Sequence, residues 1–180
     1  MNSILPSCID MYSKLGYKFI DVPFIVDKEV SNLTKPIDIP NLHHNDRLVY
    51  IGSGEQSFVQ MILDGKLSSG KYMCLTPCYR SEPVLDELHH LMFLKLELIN
   101  IGTNSFEEIL MDCQKVLQYH TKSMVYRYVH RIGIDLMCND VEIGSYGLRS
   151  VELQNGQEVV YSYGTGLALP RFNQCGGDVL

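Results

Sequence analysis

Strand-forming residues reach this chain in runs rather than in alternation with helices, and that ordering limits its folds more than any other feature. Lys71 to Arg80 and Leu91 to Gly102 read as two strands joined by a polar loop, an antiparallel pair. After one long helical stretch the sequence turns strand-like again at 135–138, 141–143, 148–153 and 158–163. Asn155-Gly156 supplies a hairpin signal between the last two of these. A doubly wound parallel sheet needs regular strand–helix–strand crossovers, and the sequence does not provide them. The pattern predicts an α+β fold, a mostly antiparallel β-sheet flanked by helices.

The helices and the remaining strands follow from spacing. Ile9, Met11, Tyr12 and Leu15 recur at helical intervals after Pro6, and Gly16 stands where a helix would stop. Tyr17 to Val26 is rich in β-branched and aromatic residues and reads as one strand. Its Pro23 lacks an N–H, which fits an edge, a bulge or an interface. Residues 31–46 carry Pro36, Pro40, His43 and His44 among polar neighbours and read as an exposed loop. Leu48 to Ile51 is a short strand ahead of Gly52-Ser53-Gly54. Glu55 to Leu67 reads as a helix with Phe58, Val59, Ile62 and Leu63 on one side. Asn104 or Ser105 can cap a helix from Phe106 to about Val129, with Glu107 and Glu108 in the first turn where the dipole favours acids. Val116, Leu117, Tyr119, Met124, Tyr126 and Tyr128 would form its buried face.

Size and charge narrow the function classes. At 180 residues, 1–180 is expected to be a single domain, able to bury about two thirds of its unfolded surface. A net charge of −6 argues against a chain held to nucleic acid by its overall field. No apolar run is long enough to span a membrane, and the N-terminus lacks the basic start and apolar stretch of a signal peptide. The six cysteines are scattered, which predicts reduced thiols and a cytoplasmic setting rather than a disulfide scaffold. Cys74 and Cys78 form a C-x3-C spacing without a second ligand pair, too little for a structural zinc site.

Three segments carry chemistry-bearing residues. Arg80 closes a strand and offers a rigid fork of donors suited to phosphate; Glu82, His89 and Phe93 follow it as a hydrogen-bond acceptor, a donor and a flat stacking face. Asp140 and Glu142 lie at alternate positions of a strand, the kind of paired carboxylates that attract a hard cation. Gly164, Gly166 and Ala168 alternate along a strand that ends near Arg171, so one face should be bare enough for a planar ligand to approach the backbone.

Taken in this order, these segments resemble the catalytic core of class II aminoacyl-tRNA synthetases. Leu15-Gly16-Tyr17 through Pro23 resembles the family's first motif, a helix leading into a strand with one fixed proline. Arg80, Glu82, His89, Phe93 and Glu97 match the second, an Arg-x-Glu, a variable loop, then His, Phe and an acid. Gly164, Gly166, Ala168 and Arg171 match the third. The stretch from Asp140 to Ser145 is similar to the acidic strand preceding the third motif, and Gly52-Ser53-Gly54-Glu55-Gln56 to the loop that takes a substrate amine. The likeness runs from about residue 10 to 172.

The resemblance implies ATP-dependent activation of an amino acid or a similar carboxylate to an adenylate. In it Arg80 would clamp the α-phosphate, Glu82 would read the adenine amino group, and Phe93 and Arg171 would sandwich the base. His89 would touch the outer phosphates, and Glu142 and Ser145 would hold Mg²⁺ bridging them. Glu55 would take the substrate ammonium and Glu97 would line the substrate pocket. Arg80 and Arg171 would be the catalytic pair. ATP, an amino acid, a tRNA acceptor stem and a second copy of the chain, joined through the first motif, are the partners implied. No anticodon-binding domain is recognisable. Met92 stands where the family usually has Glu, and Pro170 where an acid commonly precedes the arginine. Two alternatives stay open: an adenylate-forming ligase that passes its acyl group to something other than tRNA, and a non-catalytic regulatory relative.

Overall fold

A computed structural model describes residues 4–36, 39–81, 84–87, 89–131 and 133–175. Helix α1 (Leu5–Lys14) opens the chain, with Pro6 in the first turn, where a missing N–H costs nothing. Gly16 turns the chain at a φ of +91°, and β1 (Lys18–Phe19) follows. Next come β2 (Ile25–Asp27), α2 (Lys28–Thr34), β3 (Leu42–His43), β4 (Leu48–Tyr50) and α3 (Gly54–Leu63). The strands β5 (Gly70–Tyr79) and β6 (Met92–Ile101) precede α4 (Glu107–Tyr119). The chain then runs through β7 (Val125–His130), β8 (Gly133–Cys138), β9 (Val141–Glu152) and β10 (Glu158–Ala168) to a 3-10 turn at Arg171–Cys175.

Among the described residues seven strands form one sheet in the order β1-β5-β6-β10-β9-β8-β7, antiparallel throughout except for the β1–β5 pair. A small second sheet has the order β2-β4-β3. The α+β expectation therefore holds, and so does the Asn155-Gly156 hairpin. Gly156 has a φ of +80°, and the Leu153 N–H donates to the Gln157 carbonyl at 2.8 Å.

Local expectations fail where tertiary pairing outweighs spacing. The single strand read over 17–26 is two short strands in different sheets. The Ile20 N–H is the last to bond the large sheet, and Pro23, with no N–H to give, lies in the break. The loop read over 31–46 contains the end of α2 and all of β3, tied together by the Ser31 hydroxyl donating to Asn41 at 2.8 Å. The helix read to Val129 ends at Tyr119, because the alternating β-branched and aromatic residues from Val125 pair with β8. The Gln118 side chain closes the corner by accepting the Val125 N–H and donating to the Ser123 carbonyl. Of the face assigned to that helix only Val116 and Leu117 are buried; Tyr119, Met124 and Tyr128 are exposed.

The core has two layers. On one face of the sheet α1 and α4 bring Tyr12, Ile109, Leu110, Cys113 and Leu117 against Leu96, Leu98, Leu136 and Tyr146. On the other, α3 sets Phe58, Val59 and Ile62 against Cys74, Ile99, Ile101 and Tyr161. Two small residues of β10, Gly164 and Gly166, serve the first layer. A Cβ on Gly164 would stand 2.5 Å from the Tyr146 ring, and one on Gly166 would stand 3.1 Å from the Tyr12 ring. Their bare face is filled by these two tyrosines, whose hydroxyls donate to the Gly166 and Thr165 carbonyls at 2.9 and 2.6 Å. The expectation that a ligand lies against the alternating small residues is corrected for these two glycines, whereas Ala168 lines a cavity. Gly164→Val should overpack this layer and cost about 1–3 kcal/mol, read as a lowered melting temperature by circular dichroism. An unchanged melt would show that the Tyr146 ring can move aside.

Candidate active site

Strand parity decides which side chains meet. On β6, Phe93, Lys95, Glu97, Ile99 and Ile101 share one face; the body of α3 covers Ile99 and Ile101, and its first turn reaches Glu97. The uncovered part of that face, with the ends of β5, β9 and β10, lines two adjoining cavities. The smaller, about 80 Å³, is bounded by Arg80, His90, Phe93, Glu142, Ala168 and Arg171, among others. The larger, about 260 Å³, lies toward α3 and the small sheet. Glu55, Glu97, Arg149, Tyr163, Tyr79 and Tyr50 are on its walls.

In the smaller cavity the Arg80 guanidinium stacks over the Phe93 ring at 5.1 Å, and its Nε donates to the Gly52 carbonyl at 3.3 Å. Arg171 donates to Glu142 at 3.0 Å. Glu142 and Ser145 are three positions apart, which in a regular strand puts side chains on opposite faces. Here β9 carries a bulge: Leu136 faces Gly144 and Met137 faces Glu142, so Ile143 is extra. The parity flips, and both residues line the same cavity. Asp140, paired with Glu142 in the sequence reading, sits instead in the β8–β9 turn at a φ of +62° and accepts from the Tyr126 hydroxyl.

The larger cavity has a charged floor. Arg149 donates from one nitrogen to both oxygens of Glu55, at 2.8 and 2.7 Å, and the Tyr161 hydroxyl adds a bond of 3.1 Å. The same guanidinium lies 4.5 Å above the Tyr163 ring. Glu97 is buried; Ser53 donates to it at 2.6 Å and Lys95 at 2.8 Å. Burial pushes the Glu55 carboxyl up to about 7, against the pull of Arg149 and with help from the nearby Glu97 charge.

Of the residues expected from sequence, Arg80, Phe93, Glu142, Ser145 and Arg171 come together around the smaller cavity, and Glu55 and Glu97 around the larger. Glu82 lies outside the described residues. His89 is held by Asp86 at 2.8 Å, and its neighbour His90 lines the cavity in its place. Sequence reading gave no role of their own to Lys95, Arg149, Ser53 and Tyr163, although Ser53 stands in the segment matched to the substrate-amine loop. Parity could have found two of them, since Lys95 stands between Phe93 and Glu97, and Arg149 four positions beyond Ser145.

No family model and no curated protein matches the sequence. Solved structures do match. The pyrrolysyl-tRNA synthetase PylSc of Desulfitobacterium hafniense aligns with a TM-score of 0.70 at 15% identity, over 95% of this chain and 66% of that one. A second structure of pyrrolysyl-tRNA synthetase from the same organism gives 0.70 and 15%, over 98% and 70%. The cytoplasmic serine-tRNA ligase of Naegleria fowleri in complex with AMP gives 0.70 and 16%, over 96% and 46%. The fold is that of a class II aminoacyl-tRNA synthetase core. At this identity the likeness is one of fold, and the chain spans about two thirds of the pyrrolysyl enzymes and under half of the seryl enzyme.

The ionisation of Glu55 in this synthetase-like core has a consequence for stability. Its folded-state carboxyl is raised from 4.5 to about 7, so its contribution is complete below about pH 4.5 and is lost as pH rises through about 7. Relative to Glu55→Gln, the wild type should lose roughly 1–3 kcal/mol between pH 4.5 and 8, read from thermal melts across that range. Parallel pH profiles for the two proteins would show that the carboxylate is ionised in both states.

Proposed function

We propose that this chain activates an amino acid, or a closely similar carboxylic acid, by adenylation with ATP. The supporting observation is the adjacency of the two cavities: phosphate- and base-binding side chains line one, buried carboxylates suited to an ammonium line the other, and the two share a wall. In this reading a carboxylate oxygen attacks the α-phosphorus, the bond to the bridging oxygen breaks, and pyrophosphate leaves with the electron pair. No proton moves in that step, so the site has to position and neutralise rather than supply a base.

Arg80, stacked on Phe93, is the group proposed for the α-phosphate, where negative charge grows in the transition state. Phe93 and Arg171 would enclose the adenine. Glu142 and Ser145 offer one carboxylate and one hydroxyl on a common cavity wall. Among the described residues no group of three His, Cys, Asp or Glu side chains could hold a metal alone. One carboxylate, one hydroxyl and two phosphate oxygens are a fitting set for magnesium that arrives with ATP, and such an ion would shield the charge of the departing pyrophosphate. Glu142 would exchange its present partner, Arg171, for the ion. Glu55 and Glu97 are proposed to face the substrate ammonium.

Two further readings complete the proposal. The six free, buried cysteines support a reducing, cytoplasmic setting, and no described helix is long and apolar enough to cross a membrane. Phe19 and Phe24, exposed on either side of Pro23 next to the short edge strand β1, support a homodimer built on that edge. The acyl acceptor is either a tRNA 3′ end or a small-molecule or protein amine; the net charge of −6 favours the second reading.

Amino-acid-dependent exchange of labelled pyrophosphate into ATP tests the proposal. Exchange should appear with one or a few amino acids, and Arg80→Ala should lower it at least 100-fold without a large change in melting temperature. Wild-type exchange in Arg80→Ala would remove Arg80 from the chemistry. Exchange with no acid, together with no ATP binding by calorimetry, would end the reading. Transfer to tRNA by the same preparation separates the two acceptors. Light scattering at micromolar concentration should return twice the chain mass.

A further inference from the structure

Among the described residues three line both cavities: Arg80, Lys95 and Ser145. If one cavity takes the nucleotide and the other the acid, as proposed above, the carboxylate and the α-phosphorus must meet where the cavities meet. Side chains that line both are the ones able to touch the reacting atoms. Arg80 and Ser145 already have proposed duties toward phosphate and its magnesium. Lys95 has none.

Lys95 is built into that position firmly. Its backbone is paired on both sides, with Thr76 of β5 and Ala168 of β10, so it sits on an interior strand of the large sheet. Its side chain is only 12% exposed. The ammonium is 2.8 Å from Glu97 and 3.4 Å from the Ser53 hydroxyl, which itself caps α3. An ammonium has three N–H groups. Among the described residues, Glu97 and Ser53 are the partners of this one. Glu55 is already paired with Arg149, so Lys95 and Glu97 form a separate pair at the seam, and Arg80 reaches it from the β5 side with its Nε turned to Gly52.

The reaction supplies a reason for a cation there. A carboxylate approaching an α-phosphate brings two negative groups to bonding distance with little water between them, and in such a place each unit of repulsion is felt strongly. A fixed positive charge between them lowers the cost of approach and matches the charge that builds on the phosphorane oxygens. We propose that Lys95 is a catalytic residue: its ammonium holds the incoming carboxylate against the α-phosphate, with Glu97 and Ser53 keeping it aimed. The inference rests on the adenylation reading and assigns a contact within it.

The test uses MgATP binding by calorimetry beside pyrophosphate exchange driven by the twenty amino acids, in wild type, Lys95→Gln and Lys95→Arg. The Gln variant keeps a donor for Glu97 and loses the charge. It should bind MgATP within about 3-fold of wild type while kcat for exchange falls at least 100-fold. The Arg variant restores the charge and should recover at least a tenth of wild-type kcat. Exchange by Lys95→Gln within 3-fold of wild type overturns the assignment. So does a folded Gln variant whose ATP affinity falls in step with its exchange, since that makes Lys95 part of the nucleotide site alone. Should the Gln variant not fold, Lys95→Arg decides. A residue aimed at reacting atoms loses about 3- to 10-fold in kcat at unchanged KM for ATP when its reach changes, whereas a purely structural partner of Glu97 leaves kcat within 2-fold. Failure of the wild type itself to bind ATP or exchange marks failure of the adenylation reading, and the role of Lys95 falls with it.

Discussion

The close seat of α3 on the sheet is the contact on which the site depends. A Cβ on Gly54 would stand 2.9 Å from the Cys74 sulfur and 3.0 Å from Cβ of Glu97, closer than a side chain tolerates. Glycine at that one position lets the first turn of α3 descend onto β5 and β6. The descent carries Ser53 to within hydrogen-bonding distance of Glu97 and Lys95, and Glu55 to Arg149 and Tyr161. It also leaves Gly52 where its carbonyl meets Arg80 and its N–H donates to Gln56 at 2.7 Å. With a larger residue at 54 the helix would ride higher, and the paired charges of the larger cavity would separate.

Those pairs answer a second constraint. Two carboxylates, Glu55 and Glu97, are buried within one wall, and an unpaired buried charge is expensive. Each has its own cation and its own hydroxyl: Arg149 and Tyr161 for Glu55, Lys95 and Ser53 for Glu97. The arrangement is uneven, because burial still lifts the Glu55 carboxyl to about 7 despite a guanidinium bonded to both its oxygens. A site that keeps such groups in place without ligand is poised to exchange partners when a substrate with an ammonium and a carboxylate enters.

Most of the large sheet was legible in the sequence, since β5, β6, the Asn155-Gly156 hairpin and the alternation of β10 are carried by local pattern. The small sheet was not. Its strands are two or three residues long, and β2 begins inside the segment 17–26, whose composition reads as one continuous strand. What divides that segment is partner choice: Ile20 still bonds Met73 of the large sheet, whereas Phe24 bonds Ile51. No periodicity records such a switch. The extended reading of α4 failed for a related reason, since Val125 to Val129 is compatible with a helix until β8 offers it a ladder. For the candidate site, residue types at motif spacing located Arg80, Phe93, Glu142 and Arg171. The charge-bearing floor was hidden because Lys95 and Arg149 acquire their meaning from strand parity and from a helix that arrives across the sheet.

Bulges decide the rest. In β10 the register with β6 slips at Gly166, between Thr165 and Leu167. In β9 it slips against β8 at Ile143. Each adds one residue to a strand, and one residue exchanges the two faces for everything beyond it. Without the slip in β9, Glu142 and Ser145 would lie on opposite sides of the sheet. Without the slip in β10, Ala168 would turn toward the α1 layer, and the cavity would lose the small residue that leaves room beside Phe93 and Arg171. Both irregularities fall on strands that line the smaller cavity, on the face that α3 leaves uncovered. The regular parts of the sheet build the core, and the two irregular positions turn one edge of it into a place where a nucleotide and an acid could be held side by side.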